Sequence, residues 1–437
     1  VYLIGPSQWI ANTDSFLHPE EEDEGLGAFY WSRNCVFCHT TGPAWPPVVT
    51  QDDGTMVELA ETAVSELGIA CEACHGPGNR HVRANHHPVW RYRQHWTDGT
   101  HGDAIVHPDK LDAGRSAAVC GRCHSTTAPP SEGQLDGMET FRPGDRFEDH
   151  FAPQALTALW HQAVEAEANG HTQLTGPERE VLGSFWPDRT VRVAGREYNG
   201  LSQSRCLHEG GLSCLGCHSL HQGTADALLR RNMDPDQPCR TCHTAIAADE
   251  GRHTHHNPDS VGSSCLNCHM PYTSYGLLSA TRSHRIDSPT ASGLASRDRP
   301  NACNLCHLDR SVVWTAQQLT AWYGQPFPSD LPDTAELPTA ALWMLRGDAA
   351  QRAIAAWHAS YPGAIDAMDH PRALLPILAL LQDEDPYAAV RTIAQNASSR
   401  VQTTDPNPSA PPPELLSPAM LIHLYEQRDD RPTWISE

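Results

Sequence analysis

Hydrophobic positions recur with the helical period in only a few segments, and proline and glycine interrupt the pattern between them. Apolar residues spaced about 3.6 positions apart are typical of a helix with one buried face. This pattern predicts helices over 153–170, 311–324, 339–361, 371–383, 385–397 and 415–428. Residues 190–198 alternate instead, which predicts a short strand or hairpin. The chain is therefore predicted to be mainly α with extensive loops.

Composition indicates that apolar packing alone does not organise this chain. Of 437 residues, 39% are hydrophobic and 7% aromatic, while 35 are proline and 31 are glycine. The apolar core is therefore small for the length, and we expect bound cofactors to fill part of the interior. The net charge of -22 argues against a nucleic-acid partner, because a polyanion would be repelled. No apolar run of about 18 residues occurs, so no membrane span is expected in this chain.

Fourteen of the fifteen cysteines form seven Cys-x-x-Cys-His repeats, numbered here motif 1 to motif 7 in chain order. Their cysteines are Cys35 and Cys38, Cys71 and Cys74, Cys120 and Cys123, Cys214 and Cys217, Cys239 and Cys242, Cys265 and Cys268, and Cys303 and Cys306. Their histidines are His39, His75, His124, His218, His243, His269 and His307. With 26 histidines in 437 residues, chance would place a histidine after a cysteine pair only about 6% of the time.

The spacing of these repeats has a chemical reason. Two thiols three positions apart can add to the two vinyl groups of a haem, and the adjacent histidine then becomes the proximal ligand of the iron. The repeats therefore predict seven covalently attached haem c groups. Zinc is an alternative, but zinc sites do not need a histidine directly after every cysteine pair. Disulfides within the pairs would close strained short loops and leave the histidines unexplained.

Covalent haem attachment implies export across the cytoplasmic membrane. Residues 1–10 lack the charged start and the long apolar stretch of a signal peptide. We therefore expect a periplasmic or extracellular protein whose signal peptide lies outside this numbering.

The other histidines are candidates for the second, distal ligand of each iron. Removing seven proximal histidines from 26 leaves 19, whereas the chain has only seven methionines. Bis-histidine ligation should therefore dominate, and it predicts low-spin irons of comparatively low potential. The first candidates, chosen for their placement near the motifs, are His81, His221, His284 and one of His255 and His256. A second group consists of His18, His107 and His208.

Several of these segments resemble known proteins. "GIACEACHGPGNRH", "GLSCLGCHSLH", "SSCLNCHMP", "SHRI" and "PNACNLCHLDRS" resemble signature segments of large periplasmic multihaem cytochromes. These are relatives of the tetrahaem carrier of hydroxylamine oxidation and of pentahaem nitrite reductase. The resemblance implies closely packed haem pairs with ligands at His81, His221, His256 and His284. The lysine-ligated catalytic haem of the nitrite reductases is not supported, because no CxxCK occurs here.

Two domains are predicted from the distribution of the motifs. Residues 1–324 form one multihaem cytochrome c domain organised by the seven haems. Residues 325–437 form a Pro-rich linker and a small C-terminal α-helical domain, whose paired helical segments resemble HEAT-like repeats.

Electron transfer between redox partner proteins is the leading functional prediction, and no catalytic residue is assigned. An exported heptahaem cytochrome would pass single electrons along mostly bis-histidine haems. One alternative is an oxidoreductase that acts on a small nitrogen or sulfur compound at a five-coordinate haem. Another is a subunit of an extracellular cytochrome filament, a homo-polymer, or a membrane redox complex, with haem contacts between subunits. Whether the chain is an enzyme stays open, with the carrier favoured.

Overall fold

The computed structural model describes residues 3–4, 29–30, 35–44, 48–50, 54, 56–58, 63–89, 92, 96, 105–126, 137–151, 153–168, 181–225, 227–276, 278–294, 299–404 and 414–430. Within these residues the chain is mainly helical, with short strands and long irregular connections. The predicted mainly α fold with extensive loops is therefore confirmed.

Most of the α-helices span only one or two turns. They are α1 (Val36–His39), α2 (Cys71–His75), α3 (Asn79–Asn85), α4 (Ala113–Gly121), α5 (Gly137–Thr140), α6 (Pro153–Ala168), α7 (Glu197–Leu201), α8 (Arg205–His208), α9 (Gln237–Cys242), α10 (Thr244–Ala247), α11 (Glu250–Thr254), α12 (Cys265–His269), α13 (Ala302–Cys306), α14 (Val312–Tyr323), α15 (Thr339–Leu345), α16 (Ala349–Ala359), α17 (Pro362–Ala367), α18 (Leu375–Glu384), α19 (Ala388–Thr404) and α20 (Pro418–Tyr425). Short 3-10 helices lie at Pro108–Lys110, Phe147–Asp149, Cys214–Gly216, Val261–Ser263, Ser292–Leu294, Asp333–Glu336 and Pro371–Leu374. Across the described ranges, no helix combines the length and apolarity needed to cross a bilayer.

The strands are short and form two-stranded antiparallel sheets. They are β1 (Leu3–Ile4), β2 (Phe29–Tyr30), β3 (Thr40–Thr41), β4 (Val48–Thr50), β5 (Met56–Glu58), β6 (Glu66–Leu67), β7 (Ser274–Gly276) and β8 (Ser279–Thr281). The pairs are β1 with β2, β3 with β6, β4 with β5 and β7 with β8. The strand predicted over 190–198 is present only as isolated bridges at Val191 and Val193. Gly195, with φ of 88°, turns the chain there, and α7 follows.

The predicted helices of the second half begin and end at local sequence signals. Helix α14 begins after Ser311, whose hydroxyl accepts a hydrogen bond from the Trp314 N–H. It ends at Gly324, which takes the left-handed conformation with φ of 65°. The predicted segment 339–361 forms two helices rather than one, because Asp348 caps the start of α16 in a capping box.

The chain divides into two compact units. Among the described residues, unit 1 comprises those of Val1–Pro6, Gly27–Leu159 and Arg205–Asn232, and unit 2 comprises those of Trp160–Ser204 and Met233–Glu437. Motifs 1 to 4 therefore lie in unit 1, and motifs 5 to 7 lie in unit 2.

Unit 2 has a large apolar core that joins motif 7 to the C-terminal helices. Leu305 and Leu308, within and just after motif 7, belong to the same buried cluster as Met344, Ile354 and Leu378 of the tail. The predicted boundary between residues 324 and 325 falls inside this unit. A separate tail domain and its HEAT-like character stay predictions.

Candidate functional site

The Cys-x-x-Cys-His motifs lie on short helices or on the turns at helix ends. Motifs 2 and 6 are the complete five-residue helices α2 and α12, and motif 1 forms α1 with Cys35 at its N-cap. In motifs 3, 4, 5 and 7 the histidine N–H donates to the carbonyl of the first cysteine, at 2.9 Å for His124, His218 and His243 and at 3.0 Å for His307. Residues three apart on one helical turn share a face. Each motif therefore holds two sulfurs on one side, with the histidine directly after them.

The surroundings of the motif thiols in unit 2 favour uncharged sulfur. Burial raises the pKa of Cys268 to about 11, and it raises the pKa of Cys303 and of Cys306 to about 12. A zinc ligand is a thiolate, whereas a thioether sulfur carries no charge. The buried Cys268, Cys303 and Cys306 are therefore compatible with the thioether bonds of haem c.

Motif 3 contacts two other motifs of unit 1 through its sulfurs. Cys120 is hydrogen-bonded to Cys214 of motif 4, and Cys123 is hydrogen-bonded to Cys38 of motif 1. These hydrogen bonds, with burial as the second cause, raise the pKa of Cys120 and of Cys123. The Sγ of Cys38 also lies 3.9 Å from the carbonyl oxygen of Cys123. Motifs 1, 3 and 4 are therefore direct neighbours.

Several described histidines of the motifs and the candidate ligands have Nδ1 bound to a backbone carbonyl. Such a bond places the proton on Nδ1, fixes the ring and leaves Nε2 available to a metal. The distances from Nδ1 to oxygen are 2.6 Å from His75 to Val106, 3.0 Å from His218 to Ala227, 2.8 Å from His269 to Asp287, 2.7 Å from His256 to Thr254 and 3.1 Å from His284 to Arg282.

Three motif histidines face a second histidine at the separation that two ligands of one iron require. Two imidazoles on opposite sides of a metal ion have ring centres about 6 Å apart, because each metal–nitrogen bond is about 2 Å long. The centroid distances and interplanar angles are 6.0 Å and 5° for His75 and His221, 6.1 Å and 8° for His269 and His253, and 6.3 Å and 30° for His307 and His256. These pairs fit bis-histidine haems.

His75 has a second ring neighbour, His107, from the second group of predicted ligands. Their centroids are 5.9 Å apart and their planes differ by 75°. The carbonyl of Val106, the residue before His107, lies 2.6 Å from Nδ1 of His75. The backbone next to His107 therefore lies at the Nδ1 of His75, and the ligand role of His107 stays a prediction.

The remaining predicted distal ligands lie elsewhere in the fold. His81 is half-buried in α3, and its carbonyl accepts a 2.9 Å hydrogen bond from the Asn85 amide. His284 is half-buried and its backbone packs on Gly200. His208 is exposed at the end of α8, and His18 lies outside the described residues. Their ligand roles stay predictions.

In the segment "HTHH", residues 253–256, the histidines that face motif histidines are not all those that the sequence predicts. His255, a predicted ligand, stacks on Trp322 with centroids 4.7 Å apart and planes 9° apart. His253, which sequence reasoning missed, is the histidine that faces His269 of motif 6. Burial, followed by the charge of His269, lowers the pKa of His253 and so favours the neutral imidazole that a metal binds. A usable signal was the His-x-x-His spacing of 253 and 256, shortly before motif 6.

Comparisons with known proteins agree with these sites. Residues 207–248, which contain motifs 4 and 5, match the family described as "Doubled CXXCH motif". Residues 13–76, which contain motifs 1 and 2, match the family "Cytochrome c554 and c-prime". Over 248 residues, or 55% of the chain, the sequence is 21% identical to the multiheme cytochrome MtrA of Shewanella baltica. The chain is a multihaem c-type cytochrome.

The match to MtrA covers 63% of that relative's length, which is less than two thirds. Among solved structures, the cytochrome is similar to the outer cell wall cytochrome OcwA at 18% identity and a TM-score of 0.41, over 87% of this chain and 78% of that chain. The family and sequence matches support covalent haem c binding at the CxxCH motifs and electron transfer in general. The predicted resemblance to multihaem cytochromes is confirmed.

Proposed function

We propose that this cytochrome carries seven haem c groups and passes single electrons between redox partners along mostly bis-histidine, low-spin irons. The observation that carries the proposal is the set of three facing histidine pairs, with ring centroids 6.0 to 6.3 Å apart. Bound haem c supplies reversible one-electron chemistry, with a potential set by its ligands and surroundings. The chain supplies the fixed ligands.

The distal ligands follow from the ring pairs. His221 is the proposed distal ligand at motif 2, His253 at motif 6 and His256 at motif 7. In motifs 2 and 6, the Nδ1 of the proximal histidine is bound to a backbone carbonyl, and the same holds for His256 on the distal side. These bonds hold the rings in place and leave Nε2 for the iron. Because both axial positions are then filled, small molecules have no open coordination site there.

Contacts between motifs support electron transfer between neighbouring haems within each unit. In unit 1, the cysteine sulfurs of motif 3 lie beside those of motifs 1 and 4. In unit 2, Cys303 and Cys306 of motif 7 lie near Cys268 of motif 6. Groups attached at neighbouring motifs are themselves neighbours, which suits transfer by short steps within each unit.

The proposed localisation is periplasmic or extracellular, because haem c is attached after export. The net charge of -22 supports a redox partner with a basic docking surface. A homo-polymer or a subunit of a larger redox complex is an alternative arrangement of the same electron pathway.

Two measurements on the full-length protein test the proposal. Mass spectrometry of the intact chain should show seven added haems, and replacing Cys239 and Cys242 together by alanine should remove one of them. Electron paramagnetic resonance of the oxidised protein should show mainly low-spin iron. A zinc-containing chain without haem, or mainly high-spin iron, would refute the electron-carrier proposal.

One observation favours catalysis at an open haem as a second candidate. Cys242 and His243 of motif 5 are exposed to solvent. An exposed motif whose iron lacked a distal histidine could bind a small nitrogen or sulfur compound. Carbon monoxide should then bind one of the seven ferrous haems rapidly, and removal of motif 5 should abolish that binding.

A further inference from the structure

The tetrapeptide His253 to His256 serves two haem motifs at once. His253 lies in the last turn of α11 and faces His269 of motif 6, while His256 faces His307 of motif 7. The two proposed distal ligands are therefore only three residues apart. A contact that fixes the turn between them therefore acts on both ligands.

A left-handed residue separates the two ligands. His255 has φ of 56° and ψ of 24°, and its N–H donates to the carbonyl of Gly251 at 3.0 Å, which ends α11. In a continuing helix, residues 253 and 256 would share one face. The turn at His255 breaks that relationship, so that the two rings can face two different motifs. Histidine in this conformation is uncommon and needs support from its surroundings.

The support comes from the last turn of α14. The His255 ring stacks on Trp322 at 4.7 Å and meets Tyr323 edge-on at 5.6 Å. The Tyr323 hydroxyl donates a 2.6 Å hydrogen bond to the carbonyl of His253, and Trp322 meets the His256 ring edge-on at 6.4 Å. Two aromatic residues of one helix thus contact all three histidines.

The other side of the tetrapeptide is held by the segment before motif 6. A Cβ on Gly262 would lie 2.3 Å from Cδ2 of His256, so the His256 ring occupies the space that a larger residue would need. The Thr254 and Ser263 hydroxyls lie 3.3 Å apart, and Ser263 donates to the carbonyl of Asn257 at 2.7 Å. The His256 ring is therefore confined on both sides.

We propose that His255 is a positioning residue, which through its stack on Trp322 holds His253 and His256 against motifs 6 and 7 together. The inference rests on the proposed bis-histidine ligation at these two motifs. It adds that the two haems gain or lose their distal ligands as a pair, because one stacked turn supports both. His255 itself touches no iron in this arrangement.

The test uses full-length protein with all haems attached and measures the high-spin fraction by electron paramagnetic resonance, with carbon monoxide binding as a second readout. His255→Gly keeps the left-handed backbone, because glycine accepts it freely, and removes only the ring. This variant and Trp322→Ala should each convert two of the seven irons from low spin to high spin. Trp322→Phe keeps an aromatic ring and should give the wild-type spectrum. Phe327 is an exposed aromatic residue of the same unit, and Phe327→Ala should also leave the spectrum unchanged.

Single-ligand variants separate this inference from the ligation proposal. His253→Ala and His256→Ala should each convert one iron to high spin. Gly262→Ala should convert only the iron for which His256 is the proposed distal ligand. If the single-ligand variants convert one iron each while His255→Gly and Trp322→Ala convert none, the positioning role is wrong and the ligation stands. If neither single-ligand variant converts any iron, the ligation itself is wrong. If Trp322→Ala does not assemble, Trp322→Leu removes the aromatic stack, and the same outcomes decide.

Discussion

His253 and His269 face each other with ring centroids 6.1 Å apart and ring planes 8° from parallel. His269 follows the cysteines of motif 6, and its Nδ1 is bound to the carbonyl of Asp287 at 2.8 Å. The relationship explains why His253 lies partly buried although no neighbouring side chain hydrogen-bonds its ring in the described structure. It fits a shared iron between the two rings.

Replacing His253 by methionine should raise the reduction potential of one haem. Methionine still ligates iron, and a Met/His pair has a higher potential than a His/His pair. The iron should stay low-spin, and a redox titration should show one of seven steps moved to higher potential. His370→Met, at an exposed histidine of the same unit, is the matched control. An unchanged titration of His253→Met would remove His253 from the set of ligands.

Replacing His221 and His107 separately by alanine should distinguish the two neighbours of His75. His221→Ala should produce high-spin iron equal to one haem, because its ring faces His75 with centroids 6.0 Å apart and planes within 5° of parallel. His107→Ala should leave that iron low-spin, because the His107 ring is turned 75° from the His75 ring and the residue before it, Val106, binds Nδ1 of His75. The reverse result would assign His107 as the ligand.

Local features of this protein could be predicted from the sequence. The motifs lie on helical turns because their spacing is itself a helical turn, and α14 ends at Gly324 because glycine accepts the left-handed conformation. Which histidine faces which motif histidine could not be predicted to the same extent. His75 and His221 are far apart in the chain and meet only through irregular loops, whose path depends on tertiary contacts.

Two features of the structure were not predicted from the sequence, for separate physical reasons. His253 was missed because the turn that directs it is made by His255, where no glycine marks a left-handed residue. The Pro-rich stretch after Gly324 predicts a linker to a separate domain. Leu308 and Met344, on either side of that stretch, lie in one buried cluster, and the separate domain stays a prediction. Long-range apolar packing of this kind leaves no periodic signal in the sequence.

Replacing Gly200 by alanine should destabilise unit 2. A Cβ at Gly200 would lie 2.8 Å from the backbone nitrogen of Arg285 and 2.9 Å from the carbonyl carbon of His284. Backbone atoms cannot rotate away, so the chain must shift, at about 1–3 kcal/mol. Thermal unfolding should show a lower midpoint, and a new high-spin signal is expected if His284 is a ligand. Gly114→Ala, whose Cβ would have 3.4 Å to its nearest neighbour, is the control and should be neutral or stabilising. Equal midpoints for both variants would contradict the prediction.

Removing Asp385 should cost far more stability than removing an exposed partner in an ion pair. Arg352 and Asp385 have fully buried side chains, and the Arg352 Nε lies 2.7 Å from Oδ2 of Asp385. Asp385→Ala leaves the guanidinium buried without its partner, which costs about 3–5 kcal/mol. In the exposed pair of Arg310 and Asp369, Asp369→Ala should cost less than about 1 kcal/mol. Urea unfolding of the two variants measures the difference. A loss below about 1 kcal/mol for Asp385→Ala would show that water or another carboxylate compensates the charge.

Stability should fall as the pH falls from about 6.5 towards 4, and His358 should account for part of the loss. His358 is 2% exposed, its Nε2 lies 3.1 Å from the carbonyl oxygen of Tyr272, and burial lowers its pKa to about 4. In the unfolded chain this imidazole takes up a proton near pH 6.5, whereas in the folded protein it does so only near pH 4. The unfolded state therefore binds more protons within this window, and acid favours it by up to about 3 kcal/mol.

His358→Gln removes this titration while keeping an N–H donor near the Tyr272 carbonyl. Thermal midpoints measured from pH 7 to pH 4.5 should fall less steeply for His358→Gln than for the unaltered chain. His423→Gln, at an exposed histidine of the tail, should keep the original slope. Identical slopes for His358→Gln and the unaltered chain would mean that the folded protein accommodates a charged ring at position 358. In that case the acid sensitivity would arise from groups other than His358.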